Sequence, residues 1–289
     1  MDHEPVLLKE VIAHFENQGK FIDATLGAGG YTKALCERGG KVLGIDTDPI
    51  MLKIARKNLS ACPDSFYSLI NGNFRDIEQI SKDNGFSEVD GVVFDLGVSN
   101  IHFKDMDRGF SFKNPESLLD MRLNPNTQEL KASDLLNTLR LDQLEDLFST
   151  VLDLGVAKRI SKQIIKARES KKIETVGDFL KIVNRVFIPV GKLHPATKAF
   201  LALRIAVNSE LDSIATALPR AFPLLTSHGK LAVVSFHSLE DSIVKNYFRS
   251  LVSSGFGKLI TKKPIVPTEE EIMRNPKSRS AKLRVIEKI

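Results

Sequence analysis

A glycine-rich turn and three aspartates are the residues in the sequence whose types and spacing best suit the binding of a ligand. The turn, Asp23–Gly30, reads Asp-Ala-Thr-Leu-Gly-Ala-Gly-Gly, and Asp46 and Asp95 each end a later apolar run. Glycines allow a ligand to approach the backbone, and the helix that follows such a turn offers unpaired N–H groups. An acid at the end of the second strand is suited to accept both hydroxyls of a ribose. The pattern therefore predicts a site for a nucleotide-like cofactor.

The spacing of the glycines narrows the class of cofactor. A dinucleotide fingerprint needs Gly-x-Gly-x-x-Gly and a P-loop needs Gly-Lys-Ser/Thr, and the turn has neither. This disfavours a dehydrogenase. Asp23 would be unfavourable beside a pyrophosphate, whereas a methionine-type cofactor carries an adenosine ribose and no pyrophosphate. The sequence predicts S-adenosyl-L-methionine as the cofactor, and a simple tight turn without a ligand is the alternative.

The elements that must position these residues follow an α/β pattern. Apolar strands alternate with helical patterns, the strands at residues 21–23, 41–46, 66–70 and 89–95, the helices at 31–38 and 49–59. This alternation is typical of a parallel sheet covered on both faces. Asp23, Asp46 and Asp95 would then lie at the carboxyl ends of their strands, where ligands bind in open α/β sheets.

The strand pattern stops after Asp95 and resumes near the end of the chain. Residues 103–208 carry an irregular stretch and helical patterns, and a further helix is predicted at 205–218. Later elements are strands at 230–235, 259–266 and 283–287 and a helix at 239–251. The sequence thus predicts a sheet domain, residues 1–103 and 208–289, interrupted by a helical insertion domain, residues 104–207, that recognises the substrate.

Composition sets broader bounds. The 289 residues carry a net charge of +5, which is compatible with an anionic partner such as nucleic acid. The longest apolar runs are too short to span a membrane, and residues 1–5 lack the basic start of a secretory signal, so we expect a cytoplasmic protein. The two cysteines, Cys36 and Cys62, form no CxxC and have no histidine at ligand spacing, so no metal site is predicted.

Further candidates lie outside the turn. Lys158, Lys162 and Lys166 recur every four residues and form one stripe on a helix, which is either a solvated face or a site for RNA phosphates. A second basic cluster near the C-terminus invites the same two interpretations; its members are Lys277, Arg279, Lys282 and Arg284. His237 follows a strand end, so it is a candidate contact for a substrate base or a structural histidine. Ser238 with Asp241 resembles a capping box that starts a helix.

Several long strings match a known family in order and over nearly the whole chain. They are Pro5-Val6-Leu7-Leu8-Lys9-Glu10, Asp23 to Gly30, Asp46-Thr47-Asp48-Pro49, Phe94-Asp95-Leu96-Gly97-Val98-Ser99, Arg108-Gly109-Phe110-Ser111-Phe112, Leu119-Asp120-Met121-Arg122, His194-Pro195-Ala196-Thr197, Val207-Asn208-Ser209-Glu210-Leu211, Ser235-Phe236-His237-Ser238-Leu239-Glu240-Asp241 and Arg279-Ser280-Ala281-Lys282-Leu283-Arg284. The sequence resembles the bacterial ribosomal RNA small-subunit methyltransferase H family.

This resemblance implies a Rossmann-like class I methyltransferase sheet and N4-methylation of one cytidine in the decoding region of 16S rRNA. The partner would be 16S rRNA or the small ribosomal subunit, and no oligomeric state is implied. Carried over position by position, the cofactor contacts would be Gly29, Gly30, Tyr31, Asp46, Phe74, Asp95 and His102. Tyr31 stands where the family usually has histidine, and His102 where it usually has glutamine; both can still form hydrogen bonds.

The predicted catalytic residues are Asp95 and His237. The amino nitrogen of cytosine is a poor nucleophile, so a hydrogen-bond acceptor on its protons would assist in-line transfer. Two other functions stay open at this point. The first is a methyltransferase that acts on amino groups of DNA. Those enzymes usually carry a Pro-Pro-Tyr/Phe string after the fourth strand, and Asp95-Leu96-Gly97-Val98 at that place argues against this function. A non-catalytic RNA-binding or ribosome-assembly factor on a degenerate methyltransferase fold is the second alternative.

Overall fold

The structure is a computed structural model that describes residues 5–104, 107–186 and 196–289. Residues 1–4, which enter the expectation about a secretory signal, lie outside the described residues, as do His194 and Pro195 of one family string. The chain divides into two compact units, residues 1–97 with 211–289 and residues 98–210. The boundaries expected from the sequence, at 103/104 and 207/208, differ from these limits by a few residues.

The first unit is built on a seven-stranded sheet with the strand order β3-β2-β1-β4-β5-β7-β6. The first five strands are parallel, β7 is antiparallel to β5, and β6 is antiparallel to β7. The strands are β1 Gly19–Asp23, β2 Gly40–Asp46, β3 Tyr67–Asn71, β4 Val89–Asp95, β5 Leu225–Ser235, β6 Gly257–Leu259 and β7 Lys282–Lys288. The predicted α/β fold with a Rossmann-like sheet is confirmed.

Alternate residues of the central strands bury themselves on opposite faces of this sheet. Ile22 and Val92 belong to the apolar cluster on one face, and Phe21 and Val93 belong to the cluster on the other. Both faces are therefore dry, which explains why the strands read as continuous apolar runs. The covering helices are α1 Leu8–Ile12, α2 Gly30–Glu37, α3 Pro49–Asn58, α4 Ile77–Asp83, α11 Glu210–Ala221 and α12 Ser238–Ser253, while α13 Glu269–Arg274 has no buried residue.

The second unit is helical. Its helices are α5 Asn100–Lys104, α6 Ala132–Thr138, α7 Leu141–Ser149, α8 Leu154–Ser170, α9 Val176–Val186 and α10 Ala196–Asn208. They enclose a core of their own that includes Phe148, Phe179 and Leu203, each fully buried. Within the described residues of this unit, the β-pairing amounts to one isolated bridge, between Leu118 and Thr175.

The region predicted as one helix at 205–218 is helical except at Ser209, which separates two helices. Helix α10 ends at Asn208, and the next helix, α11, spans Glu210–Ala221. Ser209 has a φ of 48°, in the left-handed region that no α-helix passes through. The Asn208 side chain donates to the carbonyl oxygens of Met121 and Arg204 at 2.9 and 3.0 Å, so it fixes the end of α10.

The predicted strand at 259–266 is wrong over most of its length. Strand β6 ends at Leu259, and only an isolated bridge between Ile265 and Leu283 continues the pairing. The hydroxyl of Thr261 accepts the Val285 N–H at 2.9 Å, so a side chain replaces the backbone acceptor that a longer strand would supply. No helix among the described residues is both long and apolar enough to cross a membrane.

Candidate functional site

The glycine-rich turn joins β1 to α2 and leaves the first N–H groups of that helix open. Gly29 is the residue before the helix and has a φ of 84°, which a side chain would disfavour. A Cβ on Gly30 would collide with the ring of Pro5, and one on Gly29 would lie 3.3 Å from the Ala55 Cβ. The helix N-terminus carries a partial positive charge, so the turn suits an anionic or strongly polar ligand group.

Asp46 ends β2 and holds this turn in place. Its Oδ2 atom accepts the Gly27 N–H at 2.7 Å, and its Oδ1 atom accepts the Asp48 N–H at 2.8 Å. These two bonds fix the carboxylate at the end of β2, where an acid is suited to accept the hydroxyls of a ribose. The amide of Asn71 donates to the backbone oxygens of Asp46 and Thr47, which fixes the end of the strand.

Asp23 ends β1 and is completely buried. Its Oδ2 atom accepts the hydroxyl of Thr32 at 2.7 Å, while its Oδ1 atom has no hydrogen-bond partner among the described residues. Burial raises the pKa of Asp23 to about 6, against the opposing effect of the Thr32 hydrogen bond, and the negative charge of Asp46 adds to the rise. Backbone hydrogen bonds from Thr25 and Thr32 also favour the charged form, but together they do not offset the burial of Asp23.

Asp95 ends β4, the strand beside β1. Its backbone N–H donates to the Thr25 hydroxyl at 2.5 Å, and its Oδ1 atom is buried without a hydrogen-bond partner among the described residues. Burial raises the pKa of Asp95 well above its ordinary value, and the negative charges of Asp23 and Glu240 raise it further. Carboxylates from β1, β4 and the start of α12 therefore converge at the carboxyl edge of the sheet.

Phe74 and Tyr31 pack with the apolar clusters on opposite faces of the sheet and differ in their exposure. Phe74 is in a short 3-10 turn after β3, and its partly exposed ring packs edge-on against Phe94 with 5.6 Å between ring centres. Tyr31 is buried in the core, and its hydroxyl donates to the carbonyl oxygen of Val6. The sequence predicts a cofactor contact for Tyr31; in the structure its hydroxyl is used inside the protein, which leaves its backbone N–H for a ligand.

His237 is the residue that caps α12. Its Nδ1 atom accepts the Glu240 N–H at 3.4 Å, and Glu240 Oε2 accepts the N–H groups of Phe236 and His237 at 2.8 and 3.2 Å. The predicted capping box exists but is shifted by one residue, since its members are His237 and Glu240 and not Ser238 and Asp241.

This cap also defines the proton position on His237. Because Nδ1 is an acceptor, neutral His237 carries its proton on Nε2, which lies 3.1 Å from Glu240 Oε1 without hydrogen-bond geometry. Glu240 is fully buried, and it was not predicted to be a site residue. Its position three residues after a strand-end cap was the signal that could have found it.

Asp241 forms ion pairs with two residues of the predicted C-terminal basic cluster, Lys282 and Arg284. Its carboxylate accepts bonds from Arg284 Nε at 2.6 Å and from Lys282 Nζ at 3.3 Å. Burial alone would raise the pKa of Asp241, but the hydrogen bonds and charges of Arg284 and Lys282 outweigh burial and lower it. Lys282 and Arg284 therefore serve an internal ion pair between β7 and α12, and an RNA site on all four cations is not supported.

The remaining predicted residues lie in the helical unit. His102 is in α5, buried, with its ring centre 5.3 Å from that of Phe110. Lys158, Lys162 and Lys166 are exposed on α8, and none of the three forms an ion pair with another residue in the described part of the chain. Their stripe exists as predicted, and its contact with RNA stays a prediction.

Comparison with known proteins identifies the family of the chain. All of residues 1–289 match the MraW methylase family. A protein of Sulfurihydrogenibium sp. (strain YO3AOP1) is 41% identical over 99% of this chain and 98% of its own length. One of Dictyoglomus thermophilum is 43% identical (99% and 96%), and one of Persephonella marina is 43% identical over 100% of both chains.

All three relatives are named ribosomal RNA small subunit methyltransferase H. Among solved structures, an rRNA methylase from Streptococcus thermophilus is 12% identical with a TM-score of 0.47, covering 98% of this chain and 93% of that one. That likeness is too low to inform function. The match over the whole length and the identity to the three relatives show that the chain belongs to the MraW methylase family and is a methyltransferase.

Proposed function

We propose that this methyltransferase uses S-adenosyl-L-methionine to methylate the exocyclic N4 of a cytidine in the decoding region of 16S rRNA. The observation that carries the cofactor assignment is the group of buried carboxylates at the carboxyl edge of the sheet, beside the glycine turn. The names of the relatives support the choice of small-subunit rRNA as the substrate. A protein that acts on rRNA would work in the cytoplasm.

The charges of the site fit this cofactor. Asp23 and Asp95 each have a buried carboxylate oxygen without a hydrogen-bond partner among the described residues, and burial raises the pKa of both. A ligand with positive charge would compensate them, and S-adenosyl-L-methionine carries a sulfonium and an ammonium group. When bound, it supplies an electrophilic methyl group on the sulfonium.

The residues of the turn and of the strand ends would hold this cofactor. Asp46, held in place by its bonds to the Gly27 and Asp48 N–H groups, would accept the ribose hydroxyls. Gly30 and Tyr31 offer backbone N–H groups at the start of α2. The N–H of Gly29 donates to the carbonyl oxygen of Leu26 at 2.8 Å, so Gly29 would contribute by letting the ligand approach the backbone. Phe74 offers an apolar face. Asp95 and His102 are the remaining residues of the proposed set.

Asp95 is the group best suited to engage the cytosine amino group. Besides its contact with the cofactor, its carboxylate can accept a hydrogen bond from the amino group, which localises the nitrogen lone pair and holds the nitrogen in line for transfer. The same burial that raises the pKa of Asp95 makes its carboxylate a stronger base, so it can hold the proton that the amino group must lose. His237 lies at the end of the next strand and would contact or orient the base.

RNA contacts would come from the helical unit, which we propose recognises the substrate. The exposed lysine stripe of α8 would bind phosphates, because cations without internal partners release counterions when they neutralise RNA. The target base would have to be splayed out of its stack to reach a strand-end carboxylate. Nothing observed favours a non-catalytic assembly factor: the strand-end carboxylates of a cofactor site are all present.

Deletion of the gene followed by mass spectrometry of 16S rRNA tests the function. We expect N4-methylcytidine in the decoding region to disappear and to return with the unsubstituted gene but not with Asp95→Asn. Asp90→Asn is the matched control, because Asp90 is an exposed acid at the other end of the same strand. An unchanged N4-methylcytidine level in the deletion strain would refute the substrate, and failure of the protein to bind S-adenosyl-L-methionine in calorimetry would refute the cofactor.

A further inference from the structure

Helix α3 carries a group of cations that the site described above does not use. Lys53, Arg56 and Lys57 are exposed and, with Leu52, line an open surface concavity of about 460 Å³. Residues three and four positions apart share one face of a helix, so the three charges lie together. We call this surface the α3 basic face.

Within the described residues, these cations have no acidic partners. The chain has no aspartate or glutamate from Pro49 to Ser60, and none of the three forms an ion pair with any described residue. Other lysines of this unit pair along their helices, such as Lys33 with Glu37 at 3.7 Å. Like charges at this spacing destabilise a helix slightly, so a bound anion would relieve a repulsion that the protein leaves in place.

The helix dipole explains only part of this arrangement. Arg56 and Lys57 lie in the last turn of α3, where cations interact favourably with the exposed carbonyl groups. Lys53 lies earlier in the helix, outside the reach of that effect. The concavity and the missing acids therefore need another reason.

The α3 basic face belongs to the helix that supports the glycine turn. The Asn58 side chain of α3 donates to the carbonyl oxygen of Ala28 at 2.9 Å, and Ala55 packs against Gly29. A chain of phosphates bound along α3 would therefore run beside the proposed cofactor site.

We propose that the α3 basic face binds phosphates of the RNA backbone close to the target nucleotide. This inference rests on the proposed function, since it takes RNA as the substrate. It assigns part of RNA recognition to the sheet unit, in addition to any contact that the helical unit makes. Lysine and arginine on a shallow open surface suit a flexible phosphodiester chain, because contacts with the backbone need charge more than shape.

The test is RNA binding by a charge-neutralised variant. Lys53, Arg56 and Lys57 are all changed to glutamine, which keeps helix propensity similar. Binding to transcribed 16S rRNA is measured over a series of salt concentrations. We expect weaker binding and a slope of log K against log salt that is less steep by about 0.7–0.9 for each phosphate that the variant no longer neutralises. The affinity for S-adenosyl-L-methionine should stay within about twofold, since none of the three residues belongs to the set proposed to hold the cofactor.

The control is a second variant with the same change in net charge. Lys258, Lys262 and Lys263 are exposed lysines near β6 and are changed to glutamine together. Equal loss of RNA affinity in both variants, or no loss in the α3 variant, would overturn the inference. Failure of the proposed function is a separate result, because it would appear as absent rRNA methylation by the unsubstituted protein.

Discussion

Replacing Asp46 with alanine tests whether its carboxylate binds the ribose hydroxyls of the cofactor. The substitution removes the acceptor capacity that we assign to the ribose and also the acceptors of the Gly27 and Asp48 N–H groups. Losing charged hydrogen bonds to two hydroxyls should weaken cofactor binding by about 1–3 kcal/mol, or about 5- to 150-fold in Kd. The two orphaned backbone groups should separately lower the free energy of unfolding by about 1 kcal/mol or more.

A weaker Kd alone would not prove contact with the ribose, because Asp46 also shapes the turn. The assay therefore uses a double-mutant cycle in calorimetry, with S-adenosylhomocysteine and its 2′,3′-dideoxy analogue as ligands. If Asp46 binds the hydroxyls, removing them should weaken binding to the parent but not to Asp46→Ala. The coupling should be about 1 kcal/mol or more, above the usual error of additivity.

If removing the two hydroxyls weakens binding to the parent and to Asp46→Ala by the same factor, the reasoning is refuted. Asp46 would then act only by shaping the turn. Asp83→Ala serves as the control for loss of one negative charge, because Asp83 is exposed at the end of α4. It should bind both ligands as the parent does.

Three further predictions follow from groups inside the sheet unit. Burial raises the pKa of Asp23 from 3.8 to about 6, so its ionisation in the folded state costs about 3 kcal/mol, a cost absent below pH 4 and complete above pH 6. In urea unfolding, the free energy of unfolding of Asp23→Asn should therefore rise relative to that of the parent as the pH increases from 4 to 6. A difference between the two proteins that does not change with pH would contradict the burial argument. Tyr31→Phe should lose about 1 kcal/mol of unfolding free energy, because the Val6 carbonyl loses its buried donor. The cofactor Kd should change less than about twofold, since only the backbone N–H of Tyr31 is assigned to the cofactor, and a large change in Kd would show that the hydroxyl also contacts it. Asp241→Asn should lower the unfolding free energy by about 2–3 kcal/mol, less than for a fully buried pair since Arg284 keeps 13% of its side chain exposed, and thermal unfolding without a shift would show that the pair contributes nothing.

The sheet and its ligand edge could be predicted because their signals are local. Asp23, Asp46 and Asp95 each end a continuous apolar run, and a strand buried on both faces leaves that pattern in the sequence. The carboxyl ends of parallel strands meet at one edge, so the position of the carboxylates followed from the strand assignments alone.

The errors arose where distant residues decide the outcome. The apolar periodicity continues across Ser209, so the local pattern predicts one helix. The end of α10 is fixed by hydrogen bonds between Asn208 and the backbone of Met121 and Leu123, which are distant in the sequence. Charge patterning placed Arg284 with the surface cations, whereas Asp241 neutralises it from another element. The same limit applies to Tyr31, since no local pattern reveals that Val6 lies within reach of its hydroxyl.

The neighbouring strands β4 and β5 are joined by the whole helical unit, residues 98–210, and this has a consequence for how the protein folds. Closing so long a loop in an unfolded chain is entropically costly, and non-local pairing of this kind slows folding. A helical unit that collapses first on its own core would bring the two ends of the loop together before the strands meet. Early folding of the insertion would then speed the pairing of β4 with β5. A mutation that opens a cavity in the helical core, such as Phe179→Ala, should therefore slow the refolding of β5 as well as destabilise the helices. Stopped-flow refolding that leaves the rate of sheet formation unchanged would show that β4 and β5 find each other without it.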